Sequence, residues 1–231
     1  MSAGSVGRGV RRERGRNRLW VKAVVPVVLV TAAAVAVRWN GGHEPSSSSA
    51  AATFTVARAG VSESGGGDAY RVEVEKGSGL DPDAAAAEVA RILAAPRGWA
   101  HHGEHSFRQV AEGPAGLVIR IATPETTDRI CGKGGLDTHG EVNCRVGTDV
   151  MVNLKRWRTG SPEFHGPLAD YRALIVNHEV GHWLGHGHET CPGKGRPAPA
   201  MMQQIYGLKG CVSNAWPYAA DGTYLGGPTV P

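Results

Sequence analysis

Residues 178–188 contain three histidines, a glutamate and a glycine at the spacing typical of a zinc hydrolase. His178 and His182 are four residues apart, so on a helix their imidazoles share one face and can bind one metal ion. Gly185 can end that helix, because glycine readily adopts the left-handed conformation that turns the chain. The turn brings His188 back toward the metal, whereas in a continuous helix it would lie about 15 Å along the axis from His178. The pattern predicts one zinc ion (Zn2+) per chain on these three histidines, with a fourth position open.

Glu179 follows the first predicted ligand but projects from the helix at a different angle, so it falls beside the metal rather than on it. Its carboxylate can then take a proton from a zinc-bound water, and we predict that Glu179 is the catalytic base. Two nearby residues are rival ligands. His186 also lies beyond the glycine, and we expect it to be exposed or to support a ligand. Cys191 lies three residues past His188, but the three histidines make its ligation unnecessary.

A proline-bounded turn at residues 197–204 contains Met201 and Met202. A long zinc motif followed by such a turn resembles the metzincin metallopeptidases, in which a methionine turn lies beneath the metal. The resemblance implies that Met201 or Met202 is the turn methionine. The residues that it assigns to the zinc site are His178, His182, His188 and, as the base, Glu179.

Four segments resemble more closely an uncharacterised family of actinobacterial membrane-anchored or secreted proteins. They are 70–75, 176–188, 200–204 and 207–211. That family is a domain of unknown function for which a metzincin-like zinc site is expected, and the resemblance covers most of residues 53–231. It implies a single metzincin-like domain but supplies no substrate.

One departure from the metzincins concerns the transition state. Several metzincin groups carry a tyrosine two residues after the turn methionine. Here those positions are Gln203 and Gln204, and the nearest tyrosine is Tyr206. An amide can also donate a hydrogen bond to an oxyanion, so the departure is compatible with hydrolysis.

The N-terminal residues indicate export. Residues 8–18 contain six arginines, and residues 19–37 are apolar except for Lys22. About 20 apolar residues span a bilayer as a helix, and arginine clusters stay on the cytoplasmic side. We therefore predict a basic cytoplasmic tail at 1–18 and a transmembrane signal anchor at 19–38, which attaches the protein to the cytoplasmic membrane.

A cleaved signal peptide is the alternative, because small residues at positions 34 and 36 fit a cleavage site near Ala36. Both forms export residues 39–231, as an anchored or a secreted domain. This exported part has 17 Lys or Arg and 20 Asp or Glu, a net charge of −3, whereas residues 1–38 carry +7. The basic excess belongs to the tail, so we expect no nucleic-acid partner.

All four cysteines lie in the exported part, where disulfides form and persist. Of the three possible connectivities we predict Cys131–Cys144 and Cys191–Cys211, because sequential pairs close short loops. Each bridge would stabilise the fold by about 3 kcal/mol on the chain-entropy argument. The second would clamp the segment that carries the methionine turn.

The domain is predicted at residues 68–231, after a flexible Gly- and Ser-rich linker at 39–67. The alternating apolar run at 53–56 leaves open an earlier start of the domain. One helix begins at an Asp81 cap and is ended by Pro96. A second helix, at 168–184, carries the metal ligands.

Apolar and alternating runs predict four strands, at 70–75, 107–111, 117–122 and 149–154. The glycine-rich stretch between Cys131 and Cys144 predicts a loop or hairpin. These elements favour an α+β, metzincin-like zincin domain with a small mixed sheet, a backing helix and an active-site helix. The resemblance implies that the strand at 149–154 forms the edge of the cleft, on which an extended peptide pairs.

We therefore predict a membrane-anchored, extracytoplasmic zinc metallopeptidase that acts on a peptide or protein. One alternative is a zinc hydrolase acting on cell-wall peptides or amides, and another is a non-catalytic, zinc-stabilised surface module. The second fits less well, because a structural site has no use for Glu179 and is usually closed by a fourth ligand. Outside the motif, His101, His102 and His105 are predicted to be solvent-exposed.

Overall fold

A computed structural model of the chain describes residues 51–62 and 64–230. The predicted tail at 1–18 and anchor at 19–38 lie outside these residues. Among the helices that the structure describes, none is both long and apolar enough to cross a membrane. The described residues form an α+β domain built on one mixed sheet.

The sheet contains six strands within the described residues. They are β1 (Phe54–Val56), β2 (Asp68–Glu75), β3 (Phe107–Gln109), β4 (Leu117–Ala122), β5 (Cys144–Val146) and β6 (Asp149–Asn153). Their order across the sheet is β1-β2-β4-β6-β5, and β3 also pairs with β2. β2, β4 and β6 are parallel, as are β2 and β3, whereas β1 and β5 run antiparallel to their neighbours.

Four α-helices surround this sheet in the described part of the chain. They are α1 (Pro82–Leu93), α2 (Pro124–Lys133), α3 (Leu154–Thr159) and α4 (Leu168–Trp183), with short 3₁₀ turns at His101–Gly103 and Gln204–Tyr206. α1 begins at the predicted cap, where the Asp81 carboxylate accepts hydrogen bonds from the N–H groups of Asp83 and Ala84.

Alternation along the central strands divides the core between the two faces of the sheet. Val72, Ile119 and Val150 are completely buried in the main core, which they share with α1 and α4. Cys144 and Met151 belong to a smaller cluster on the opposite face, toward α2. A strand buried on both faces is nearly all apolar, which explains the sequence of β4.

Both predicted disulfides are present, Cys131–Cys144 and Cys191–Cys211. Cys131 lies in the last turn of α2 and Cys144 on β5, so the first bridge ties a helix to a strand rather than closing a hairpin. α2 itself is not predicted from the sequence.

The start of α2 carries the same kind of signal as α1. The Thr123 hydroxyl accepts a hydrogen bond from the helix, and Pro124 occupies the first helical position. Its residues are mostly polar, which is why no apolar stripe marks the helix in the sequence.

The prediction that the strand at 149–154 forms an edge is wrong. β6 pairs with β4 on one side and with β5 on the other, so both of its edges are occupied. The chain reverses between β5 and β6 through a two-residue turn in which Gly147 has φ of +62°. Glycine favours such tight hairpins because positive φ costs it nothing. β5 is therefore the edge strand on this side of the sheet.

Two boundaries also differ from the predicted ones. β1 lies inside the range 39–67 that the sequence assigns to a linker, and it pairs with β2, so the sheet begins before residue 68. The strand predicted to end at residue 154 ends at Asn153, because the Asn153 side chain caps α3 by accepting from the Lys155 N–H.

Candidate metal centre

α4 carries the first two candidate ligands and ends where the sequence predicts. Just beyond its last turn Gly185 has φ of +96°. The N–H of His186 donates to the Gly181 carbonyl, and the N–H of Gly185 donates to the His182 carbonyl. These two bonds form a Schellman motif, which uses glycine in the left-handed conformation. The motif reverses the chain and returns His188 toward the helix.

The three histidines of the motif converge on one point. The Nε2 atom of His182 lies 3.2 Å from Nε2 of His178 and 3.1 Å from Nε2 of His188. Nitrogens bound tetrahedrally to one zinc at about 2.0–2.1 Å lie roughly 3.3 Å apart. Within the described residues this is the one group of three His, Cys, Asp or Glu side chains arranged to hold a metal. The donor set fits a zinc ion.

Hydrogen bonds determine which ring nitrogens are free. Nδ1 of His178 lies 2.9 Å from the Ala200 carbonyl oxygen, and Nδ1 of His182 lies 2.9 Å from that of His186. A carbonyl oxygen only accepts, so in the neutral rings each Nδ1 carries the proton and each Nε2 presents a lone pair. Two lone pairs at 3.2 Å repel each other unless a cation binds both. Metal-bound histidines are commonly held in this way by a backbone carbonyl.

Glu179 is buried and lines the cleft that also contains the histidines. Burial raises the pKa of Glu179 to about 8, and the positive charge of Arg145 opposes this rise. Burial lowers the pKa of His178 to about 3, and the charge of His182 acts in the same direction. Desolvation therefore favours neutral imidazoles, the form that binds a cation.

Met201 packs against the part of α4 that carries the candidate ligands. It is fully buried, and a Cβ atom added to Gly181 would overlap its Sδ. The indole of Trp99 lies on the same side, with Cζ2 2.8 Å from that Cβ position, and its Nε1 donates to the Asn177 carbonyl. Met202 instead belongs to an apolar cluster at the second disulfide and lines the cleft. Of the two predicted turn methionines, Met201 is thus the one seated against the ligand helix.

The two glutamines of the turn have different surroundings. Gln204 is buried, and its amide nitrogen donates to the Pro199 carbonyl at 3.1 Å and the Asn214 carbonyl at 2.7 Å. Its amide group therefore holds the turn together and is not free for a substrate. Gln203 and Tyr206 are exposed and line the cleft.

The cleft has a volume of about 410 Å³, within the usual range for ligand pockets. Four parts of the chain line it: α4, His188 beyond the end of α4, a segment between residues 136 and 145 that reaches into the edge strand β5, and residues 202–206. An edge strand and the helix with two of the candidate metal ligands therefore share one cleft.

The cleft, the ligand helix and the methionine turn all lie within one family match. The family described as "Protein of unknown function (DUF3152)" matches residues 40–215. The chain belongs to this family. The match confirms the resemblance to a domain family of unknown function. Comparisons with curated proteins and with solved structures found no match.

Two rival ligands have other roles in this DUF3152 domain. The ring of His186 stacks on Trp99 with 4.4 Å between centroids, while its backbone carbonyl holds His182. Cys191 is bridged to Cys211, so its sulfur is not a thiolate ligand.

Among the histidines predicted to be exposed, His101 is buried, and the prediction for it is wrong. Its ring stacks on Tyr218 at 4.2 Å between centroids, and its Nδ1 lies 2.8 Å from the Pro96 carbonyl oxygen. A contact with a residue more than a hundred positions away leaves no local signal. His102 is exposed and His105 partly buried.

The sequence does not predict the one Lys or Arg residue that the described part of the DUF3152 cleft contains. Arg145 lies on β5 and lines the cleft with Glu179. The only signal is the alternation Cys144-Arg145-Val146, which is too short to predict a strand.

Proposed function

We propose that this DUF3152 protein is an extracytoplasmic zinc-dependent peptidase in which Glu179 acts as the base. The observation that carries the proposal is the pair of imidazole lone pairs 3.2 Å apart on His178 and His182, with His188 completing the set. Three nitrogen donors at this spacing favour Zn2+, and a buried carboxylic acid beside them favours hydrolysis over a structural role.

Zinc bound to these histidines would supply a Lewis acid that lowers the pKa of water toward about 7 and polarises a carbonyl group. The protein itself holds the imidazoles of His178 and His182 in one tautomer and orientation through the carbonyls of Ala200 and His186. Three protein ligands rather than four leave room for a substrate, as in hydrolytic sites.

Glu179 is the group that transfers the proton. Its carboxylate takes a proton from the attacking water and returns it to the leaving amine. A carboxyl group whose pKa is raised by burial is a stronger base, once ionised, than an exposed one. The position of Glu179, next to His178 in α4, keeps the base beside the metal ligands.

An extended peptide is the substrate class that the cleft favours. β5 pairs with β6 along one edge, and among the described residues its other edge is unpaired. An extended peptide can add a strand to such an edge through main-chain hydrogen bonds. An antiparallel edge strand beside the ligand helix, and Met201 against that helix, are in keeping with the metzincin resemblance.

Export is part of the proposal. Two disulfides fit an oxidising compartment outside the cytoplasm. Residues 19–38 would anchor the domain at the cytoplasmic membrane, and cleavage near Ala36 would secrete it instead.

The test uses the full-length protein, loaded with one zinc per chain and incubated with an unbiased peptide library. Cleavage products are identified by mass spectrometry, and the matched control is Glu179→Gln carrying the same amount of zinc. We expect cleavage by the wild type and a loss of roughly 10²- to 10⁴-fold in the variant. Equal cleavage by both proteins would remove Glu179 as the base.

If neither zinc-loaded protein cleaved any peptide of the library, the result would contradict a general peptidase. The same pair is then incubated with purified cell-wall material. Release of wall fragments by the wild type alone would identify a cell-wall hydrolase, and no release would leave a zinc-stabilised module.

A further inference from the structure

Arg145 is the middle residue of the edge strand β5, and it points to the face of the sheet that carries α4. Its partner in the sheet is Val150, which belongs to the core shared with α4. Cys144 and Val146 point to the other face, where they pack in the cluster at α2. Alternation along the strand thus turns the Arg145 side chain into the cleft that Glu179 also lines.

No carboxylate of the described residues lies within 4.0 Å of the Arg145 guanidinium. Its one hydrogen bond is long, 3.4 Å from Nη1 to the Gly147 carbonyl oxygen. The acid nearest in the hairpin, Asp149, points to the opposite face and is paired with Arg120. Asp137 also lines the cleft but is exposed and lies next to His139.

Two other arginines, one in the sheet and one in α3, have carboxylate partners, whereas Arg108 of β3 donates to the Ser62 carbonyl and lies outside the cleft. Arg120 contacts Glu73 as well as an aspartate, and Arg156 contacts Glu141. Arg145 differs from them, because its planar fork of donors is available to a group that enters the cleft. It is also the one Lys or Arg among the described residues that line the cleft.

We propose that Arg145 binds a carboxylate of the substrate and determines specificity, an inference that rests on the peptidase function proposed above. A guanidinium binds a carboxylate through two parallel N–H···O bonds, which fixes both position and orientation. The carboxylate comes either from an acidic side chain of the peptide or from its free C-terminus. Because Arg145 belongs to the strand along which the peptide pairs, this carboxylate lies at a defined number of residues from the cleaved bond.

Binding can be tested apart from hydrolysis with full-length, zinc-loaded Glu179→Gln protein. The probes are four peptide libraries that contain no other Asp or Glu. Three libraries are amidated at the C-terminus, and each carries one of Glu, Gln or Lys at a scanned position. The fourth carries Gln at that position and has a free C-terminal carboxylate. Captured peptides are quantified by mass spectrometry. We expect Glu to be preferred over Gln at one position by roughly tenfold to a hundredfold, as for a charged hydrogen bond.

Variants of the same protein assign the preference to one side chain. Adding Arg145→Gln should make the capture of Glu and Gln peptides equal, and Arg145→Glu should favour the Lys peptides. Arg58→Gln is the matched control, because Arg58 is exposed, pairs with Glu112 and does not line the cleft. It should leave the preference unchanged.

Enrichment of the fourth library instead of the Glu library would identify the C-terminal carboxylate as the group recognised, and it would also support the proposal. Equal capture of Glu and Gln peptides without any gain from a free C-terminus would overturn it. The proposal would also be overturned by a preference for Glu that persists in the Arg145→Gln variant, or by the absence of any peptide capture. Cleavage by the wild type tests the peptidase function separately, so selective capture without cleavage would reject the peptidase and retain the carboxylate site.

Discussion

Met201 occupies the space beside Gly181, the residue that precedes the candidate ligand His182 in α4. The methionine turn and the ligand helix therefore fit together only because residue 181 has no side chain. The same segment holds a second candidate ligand, since the Ala200 carbonyl accepts from Nδ1 of His178. The orientation of two candidate ligands thus depends on how the turn packs against the helix.

Gly181→Ala should lower the free energy of unfolding by about 1–3 kcal/mol, because the added methyl group overpacks a filled core. It should also weaken zinc binding by moving α4 away from the turn. Urea denaturation and competition with a zinc chelator measure the two effects. Gly132→Ala in α2 is the control, since nothing lies within 4 Å of its added Cβ. Wild-type stability in Gly181→Ala would show that Met201 does not constrain the helix.

His188→Ala should weaken zinc binding by several orders of magnitude, because it removes one of three donors. His186→Ala should weaken it much less, since the His186 contact with His182 uses the backbone carbonyl. Zinc affinities measured by chelator competition distinguish the two variants. If His186→Ala lost zinc and His188→Ala retained it, the third ligand would be misassigned.

Zinc should raise the melting temperature of the wild-type protein, because a cation relieves the repulsion between the His178 and His182 lone pairs. At a free zinc concentration a hundred times the Kd the gain is about 2.7 kcal/mol. For a domain of this size that corresponds to roughly 5–10 °C. His182→Ala lacks the shared donor and should show no such rise. Identical melting curves for the wild type in zinc and in chelator would contradict a metal site.

Replacing Cys131 and Cys144 with serine should lower the free energy of unfolding by about 3 kcal/mol. It should also speed hydrogen exchange in β5, because this strand has three paired residues and is tied to α2 by the disulfide. The matched control is the double serine variant of Cys191 and Cys211, which should leave exchange in β5 unchanged. Unchanged β5 exchange without the first disulfide would show that sheet pairing alone holds the edge.

Several features of the fold follow from local signals. The start of α1 depends on Asp81 and the proline after it, and the end of α4 depends on Gly185, so neighbouring residues suffice to predict both. β4 is predicted at its observed bounds because its side chains are nearly all apolar. α2 is not predicted, although Thr123 and Pro124 carry a start signal, because its polar residues show no apolar stripe.

Other features depend on contacts between distant residues. The metzincin resemblance implies that the strand at 149–154 is an edge strand, but the hairpin at Gly147 pairs β5 with its outer side. His101 is buried by stacking on Tyr218, a contact between distant residues that no local sequence pattern predicts. The choice of Met201 over Met202 as the residue against α4 likewise depends on the path of the turn.

The sequence by itself determined the candidate ligands, the candidate base and the disulfide pairs, because their residue types and short spacings limit the chemistry and the geometry. Only the tertiary structure decided that two imidazole lone pairs face each other at 3.2 Å and that Arg145 points into the same cleft without a carboxylate partner among the described residues. The physical reason is that tautomers, strand faces and unpaired charges are set by partners far away in the chain. A local sequence pattern identifies the reactive groups, and tertiary packing determines their tautomers and side-chain orientations.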